Sequence, residues 1–290
     1  MLNLNISWFI QAVKLMRLKH WIKNGFVFLP LLFSEQLFLG PAWQSTLLTA
    51  FLFCICASSI YVVNDIFDVE KDRNHPVKRM RPIASGKVTK KQAWTIAAFL
   101  TVLGIGVSVF VPPTARLIVL AYFLMNVAYS SILKHEVLLD VFIVAIGFVL
   151  RVIAGSVSTS WESASWLILV TFFIALFLAL GKRRHELLYS DSTNTTLRPV
   201  LEKYNEKLLD YLIIISATLT IISYSLFVVL RDPYIFTLPF VIYGMFRYMH
   251  LVYTQDSGGD PTDTVSKDKV IIVNVGVWSL IVTGLLIFAN

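Results

Sequence analysis

Residues 47–73 read LLTAFLFCICASSIYVVNDIFDVEKDR. No charged residue occurs from Leu47 to Val63, and then Asn64, Asp65, Asp68, Glu70, Lys71, Asp72 and Arg73 follow at once. A helix needs about 20 mostly apolar residues to cross the hydrocarbon core of a bilayer, and this run approaches that length. Its abrupt acidic end marks where the chain leaves lipid. The stretch therefore decides the fold class and also shows where to look for chemistry.

The whole chain agrees with it. Of 290 residues 57% are hydrophobic and only 15% charged, with a net charge of +7 and a mean hydropathy of +0.72. A soluble domain carries about 25% charged residues. So little charge cannot cover a water-facing surface, which excludes soluble enzymes, disordered tails and disulfide scaffolds. Apolar runs also occur at 25–39, 93–111, 117–133, 137–157, 164–180, 208–230, 234–253 and 270–288. With 47–63 they predict nine spans in an all-α integral membrane protein, a single polytopic domain over 1–290 with a charged loop at 64–91 inside it.

Alternating nine spans across a membrane sorts the 25 Lys and Arg residues strongly. All fall on one side except Arg116 and Arg231 on the other and Arg151 and Arg247 within spans. By the positive-inside rule the N-terminus and the charged loops face the cytoplasm and the C-terminus lies outside, in the cell membrane. The positive charge then belongs to a membrane face, and no nucleic-acid partner is expected. Residues 1–20 include Lys14, Arg17, Lys19 and His20 without a cleavage-like site, so a signal peptide is not expected. They read as an amphipathic surface helix offering Trp8, Phe9, Leu15 and Trp21 to the interface. Cys54 and Cys56 lie on different faces of one helix and cannot bridge each other; they read as small core residues.

Asn64, Asp68 and Asp72 are spaced by four and share one face of a helix, with Asp65 three residues before Asp68. Carboxylates so placed repel one another unless a cation intervenes. Mg²⁺, which binds carboxylates, waters and substrate phosphates, suits that donor set. The plainer alternative is a solvated loop of mixed charge, since Lys71 and Arg73 are adjacent. Against it, Asn64 and Asp65 directly continue an apolar helix, where charge is costly. Downstream, Lys78 and Arg81 stand beside Pro76 and Pro82, placed to hold a polyanion such as a diphosphate between metal and cations. Lys87, Lys90 and Lys91 read as ordinary cytoplasmic-face residues.

The pattern Asn64-Asp-x-x-Asp68-x-x-x-Asp72, followed by Arg81-Pro82-Ile-Ala-Ser-Gly86, resembles the first aspartate-rich motif of the UbiA-type intramembrane prenyltransferases. The resemblance implies nine helices around a central cavity, with Mg²⁺ and a diphosphate held by aspartates at the cytoplasmic mouth. The superfamily's second aspartate motif is replaced here by Gly181-Lys182-Arg183-Arg184-His185-Glu186, which suits an anion contacted directly. Arg17-x-x-x-Trp21-x-Lys23-Asn24, Tyr129-Ser130-x-x-Leu133-Lys134-His135, Asp140, Arg151-x-x-Ala154-Gly155, Arg247-Tyr248 and Gly258-Gly259-Asp260-Pro261 sharpen the match. They resemble the decaprenyl-phosphate 5-phosphoribosyltransferase branch. That branch implies phosphoribosyl diphosphate and a polyprenyl (decaprenyl) phosphate as substrates, diphosphate as the leaving group, and a lipid-linked pentose product feeding arabinan-type cell-envelope glycan.

The acceptor of such a reaction is a phosphate monoester, already anionic, so no general base is needed. Asp65, Asp68 and Lys134 are expected to carry the chemistry, with Asn64, Asp65, Asp68 and Asp72 on the metal. Lys23, Asn64, Asp72, Lys78, Arg81, Tyr129, Asp140, Arg151, Lys182 and Arg183 are expected to bind substrate. Simpler roles stand beside these. Lys134 and Tyr129 also fit interface anchors, and Lys23 fits a snorkelling lysine. Arg151, deep in a span, needs a partner such as Asp140 or a substrate phosphate. Asp140 serves either Arg151 or Lys134. Arg247 caps a helix or pairs with Asp256 or Asp260. His75 and His135 flank phosphate sites without binding metal. Phe26, Phe28, Phe51, Phe53 and Phe123 either line a lipid exit or face lipid. An aromatic prenyltransferase using a polyprenyl diphosphate and a non-catalytic transporter remain the competing classes, and an oligomer is allowed.

Overall fold

The computed structural model describes residues 2–74, 78–131, 133–159, 165–193, 199–229, 232–254 and 261–288. Every element among them is helical. The expectations placed on His75, Pro76, Arg231, Asp256 and Gly258-Gly259-Asp260 lie outside these residues. Seven of the helical segments are long and apolar enough to span a membrane: Gly40–Phe67, Lys90–Ser108, Leu139–Ser158, Ser165–Ser190, Glu206–Val229, Pro233–Thr254 and Lys269–Phe288.

Two of the nine expected spans are not among them. The expected span at 25–39 is a 3-10 helix (Leu18–Phe28), a single turn α2 (Leu29–Leu32) and a further 3-10 turn (Glu35–Phe38). Pro30 sits at the start of α2, where its missing N–H costs nothing, but it prevents one continuous α-helix from forming through the region. Pro113–Ser131 (α6) has the length, but Arg116, Asn126 and its tyrosines lower its apolar character.

The chain forms two compact units, Met1–Ile132 with Leu150–Glu162, and Leu133–Val149 with Ser163–Asn290. The first is organised around α3 (Gly40–Phe67), against which α1 (Leu2–Met16), the 3-10 helix Leu18–Phe28, α5 (Lys90–Ser108) and α6 pack. A short helix α4 (Val69–Arg73) extends α3 beyond Asp68. Leu15, Ile55, Val62, Ile66, Val69 and Ile83 form one buried cluster; Val27, Phe53, Ile60, Val119, Tyr122 and Ala154 form another. Leu15 is thus a core residue rather than an interface anchor, while Trp8 and Phe9 are exposed as expected. Trp21 is half-buried and donates its indole N–H to Ser58 Oγ at 3.0 Å. Phe53 is fully buried edge-on to Tyr122, so it does not face lipid. Away from water most buried hydroxyls find a hydrogen-bond partner. Thr46 and Ser158 bond back to the carbonyls four residues earlier, and Thr49 meets Ser158 across the helices at 2.7 Å.

The second unit pairs α8 (Ser165–Thr193) with α9 (Glu206–Val229) along their length, with α10 (Leu238–Thr254), α11 (Pro261–Lys267) and α12 (Lys269–Phe288) against them. Phe177, Leu180, Leu201, Leu209, Ile213 and Tyr248 lie in its core. Arg184 is held by Glu206 and Asp210, both at 2.7 Å, and lies over the Tyr253 ring. Arg247 pairs with Asp268 at 2.8 Å rather than with Asp256 or Asp260, and Asp268 Oδ1 accepts the Ile271 N–H at the start of α12. That guanidinium holds the Asp268 carboxyl below its ordinary range. The helix α7 (Leu139–Ser158) contributes its first half to this unit and its second half to the other.

Candidate active site

The α3 helix does not stop where the apolar run stops. It continues through Asn64 and Asp65 to Phe67, and Asp68 is the joint at which α4 begins. The Asp68 N–H bonds to the Asn64 carbonyl at 2.9 Å and the Asp72 N–H to the Asp68 carbonyl at 2.8 Å, so the helical path carries across the joint. The spacing by four puts Asn64, Asp68 and Asp72 in one row, yet a different pair converges. Asp65 and Asp72, two turns apart, are both buried, and both accept from the same nitrogen of Arg81, at 3.0 and 2.7 Å. Asp65 also accepts from Arg17 through the same oxygen.

Arg81 reaches back through a tight turn. The Ser85 N–H bonds to the Arg81 carbonyl, the Gly86 N–H to the Ile83 carbonyl, and the Val88 N–H to the Pro82 carbonyl. Gly86 has φ +75°, a conformation glycine takes without strain, which explains its place in Arg81-Pro82-Ile-Ala-Ser-Gly86. Thr89 then caps α5 in a reciprocal arrangement with Gln92. Arg17 is held otherwise: it breaks the chain between α1 and the 3-10 helix with φ +53°, rare for a side chain of its size, and its guanidinium lies over the Tyr61 ring. The sequence motif that contains Arg17 does not mark it as a partner of Asp65. A carboxylate continuing an apolar helix requires a cation, but nothing in the sequence says which.

Among the described residues no three His, Cys, Asp or Glu side chains are grouped as a metal cage. Mg²⁺ does not require one: it is usually bound by one or two carboxylates, with waters and substrate phosphates completing the octahedron. Asp65 and Asp72 offer two carboxylates that already converge on one cationic nitrogen, so the donor set fits a hard cation. Asn64 and Asp68 are half-buried beside them. Lys78 belongs to the 3-10 turn Lys78–Met80 just before Arg81, and Lys23 is half-buried in Leu18–Phe28.

Arg151 lies within the same unit and is buried on α7. Its Nε donates to Asn24 Oδ1 at 2.7 Å and one terminal nitrogen donates to the Tyr122 hydroxyl at 2.9 Å, with the guanidinium over the Tyr122 and Phe53 rings. Asn24 in turn donates to Cys54 Sγ at 3.0 Å. Pairing of Arg151 with Asp140 is excluded by helix geometry, since eleven residues of α7 separate them by about 16 Å. Arg151 instead ties the 3-10 helix that carries Lys23 to α6 and α7. Tyr129 is half-buried near the end of α6.

In the second unit Asp140 is fully buried and accepts from Arg183 Nε on one oxygen and from the Tyr204 O–H, at 2.8 Å, on the other. Arg183 also donates to Glu186 at 2.7 Å. A guanidinium with 4% of its side chain exposed needs counter-charge, and the two carboxylates supply it. Arg183 is therefore engaged in a buried ion-pair cluster, and Asp140 serves Arg183 rather than Arg151. Arg184 is likewise held by acids, and Lys182 is half-buried on the same helix α8. Lys134 is half-buried in the 3-10 turn Leu133–His135 that precedes α7. Burial and the Asp140 carboxylate together push the Tyr204 phenol well above its ordinary pKa, so it remains a proton donor. No periodicity or motif marks Tyr204 in the sequence.

The UbiA prenyltransferase family model matches residues 27–263. The decaprenyl-phosphate phosphoribosyltransferase of Mycobacterium tuberculosis is 33% identical over 283 residues, covering 92% of this chain and 91% of that protein. The enzyme of the same name from Corynebacterium glutamicum is 34% identical over 279 residues, covering 92% of this chain and 83% of its own. In fold, a UbiA homologue from Archaeoglobus fulgidus bound to GPP and Mg²⁺ superposes with a TM-score of 0.73 at 16% identity, over 96% of this chain and 98% of that one. The chain is a membrane transferase and belongs to the UbiA prenyltransferase family.

Proposed function

We propose that this protein transfers 5-phosphoribose from phosphoribosyl diphosphate to a polyprenyl (decaprenyl) phosphate, with Mg²⁺, at the cytoplasmic face of a cell membrane. The observation that carries the reading is the likeness, over nearly the whole of both chains, to enzymes named for that transfer. The convergence of buried Asp65 and Asp72 on one cationic position adds chemical support. The charge asymmetry of the loops supports the cytoplasmic orientation.

In the reaction an oxygen of the polyprenyl phosphate attacks C1 of the ribose. The C1–O bond to diphosphate breaks, the new C1–O bond forms with inversion, and diphosphate leaves. The nucleophile is already anionic, so the site needs to abstract no proton. Asp65 and Asp72, with Asn64 and Asp68, would hold the metal. Bound there, Mg²⁺ supplies neutralising charge that makes diphosphate a better leaving group. Arg17 and Arg81 keep the two buried carboxylates compensated. Lys23, Lys78, Lys134 and Lys182 supply positive charge for substrate phosphates, with Tyr129 as a hydroxyl donor. The product is a lipid-linked pentose, a precursor for cell-envelope glycan.

The test supplies purified protein in nanodiscs with Mg²⁺, labelled phosphoribosyl diphosphate and decaprenyl phosphate, and reads label in the lipid phase. Lipid-linked label is expected. Its absence, with prenylation of a hydroxybenzoate by a polyprenyl diphosphate, would establish the aromatic prenyltransferase instead. Inactivity in both assays with substrate counterflow in liposomes would establish a transporter.

A further inference from the structure

Leu138 has φ +67° and no glycine's freedom to hold it there. A branched side chain in the left-handed region persists only where its surroundings over-determine it, and such residues cluster at functional sites. Leu138 is the residue on which α7 starts: its carbonyl accepts the Val141 and Phe142 N–H groups of the first turn. Its own N–H donates to the Tyr204 phenol oxygen at 2.8 Å, and the Tyr204 O–H donates onward to Asp140 at 2.8 Å. One phenol therefore locks both the strained residue and the first turn behind it.

Tyr204 is itself rigidly placed. The 3-10 turn Pro199–Lys203 leading to it packs against the turn Leu133–His135, and Val200 and Leu201 are anchored in the core of the same unit. Asp140, the acceptor, is fixed a second time by Arg183. The segment so constrained, between Leu133 and Leu138, carries Lys134. A loop that only joined two helices would be satisfied by a glycine at position 138. Here a strained leucine is held by a buried tyrosine brought from a distant part of the chain.

We infer that Tyr204 is a positioning residue: through its paired bonds to the Leu138 N–H and the Asp140 carboxylate it fixes the turn that presents Lys134 to a substrate phosphate. The inference rests on the proposed role of Lys134 and goes beyond it by naming what sets that lysine's geometry. Tyr204 touches no substrate; its effect on turnover passes through Lys134.

The experiment is a double-mutant cycle on the full chain in nanodiscs, reading kcat/KM for decaprenyl phosphate. Tyr204→Phe removes both bonds and keeps the ring. In the native background it should lower kcat/KM about tenfold; in Lys134→Ala it should change it less than twofold, because residues acting as a unit are not additive. Leu138→Gly should recover part of the Tyr204→Phe loss, since glycine takes positive φ without strain. Full activity of Tyr204→Phe, or an equal loss in both backgrounds, overturns the inference. If Lys134→Ala alone turns over like the native chain, the role of Lys134 fails and the inference falls with it. Should Tyr204→Phe fail to fold, the Tyr204→Phe/Leu138→Gly pair carries the test. A restored fold with recovered turnover supports the inference, and a pair that stays unfolded or folds without turnover overturns it.

Discussion

Gly155→Ala adds a methyl for which the first unit has no room. A Cβ at position 155 would lie 2.0 Å from the Val27 carbonyl oxygen, 2.9 Å from its carbon and 3.2 Å from Pro30 Cδ. The nearest atoms are backbone, so no rotamer change relieves the clash; the 3-10 helix Leu18–Phe28 must move away from α7 by at least about 1 Å. The Asn24–Arg151 bond, now 2.7 Å, would then stretch beyond hydrogen-bonding reach. Overpacking costs about 1–3 kcal/mol, and depriving buried Arg151 of an acceptor about 1–3 kcal/mol more. A loss of roughly 2–6 kcal/mol is expected from those two contributions. The assay is the unfolding midpoint in an SDS titration, followed by intrinsic tryptophan fluorescence. Gly106→Ala is the control, because nothing lies within 4 Å of a Cβ there. It should be neutral or slightly stabilising, as alanine favours helix over glycine. A Gly155→Ala protein as stable as the control would refute the close approach of α7 and Leu18–Phe28.

Arg81→Ala should destabilise by about 2 kcal/mol in the same titration, less than the roughly 3–5 kcal/mol for breaking a fully buried pair, because Arg17 still faces Asp65; no change would show that the two carboxylates do not share Arg81. Asp68→Asn should leave the unfolding midpoint in place and lower Mg²⁺-dependent turnover about a hundredfold or more, and chelation should abolish turnover of the native chain; retained activity removes the metal assignment. Asp268, held by Arg247, has a folded pKa below its unfolded value, so its stabilisation is full above the unfolded pKa and is lost as pH falls through the folded one. The stability gap between the native chain and Asp268→Asn should therefore be constant at neutral pH and shrink below about pH 4; a gap independent of pH would contradict the pairing.

Much of the fold could be read from one-dimensional pattern. Apolar runs mark most of the spans because lipid tolerates little else, and residues 47–63 needed nothing more. The pattern failed where local chemistry overrode apolarity. Residues 25–39 are apolar, yet Pro30 divides them into short helices that pack under α7. The acidic site was legible as a location, since carboxylates ending an apolar helix are costly and demand a cation. Its geometry was not legible. Spacing by four pointed to Asn64, Asp68 and Asp72, whereas the joint at Asp68 and the Gly86 turn bring Asp65, Asp72 and Arg81 together. Arg183 shows another kind of partner that pattern does not reveal. Three consecutive basic residues suggest an anion site, but burial requires counter-charge, and Asp140 comes from another helix to provide it. Tyr204 has no sequence signature because its importance comes from distant partners, and Arg17 shows in the sequence only within Arg17-x-x-x-Trp21-x-Lys23-Asn24, which says nothing of the Asp65 it meets.

The most direct test of the central claim is the mass of the lipid product formed from decaprenyl phosphate and phosphoribosyl diphosphate, measured together with released diphosphate. The account predicts a lipid heavier than decaprenyl phosphate by one phosphoribosyl group and one diphosphate released per lipid formed. An unaltered lipid, or a polyprenyl chain found on an aromatic acceptor instead, would contradict it.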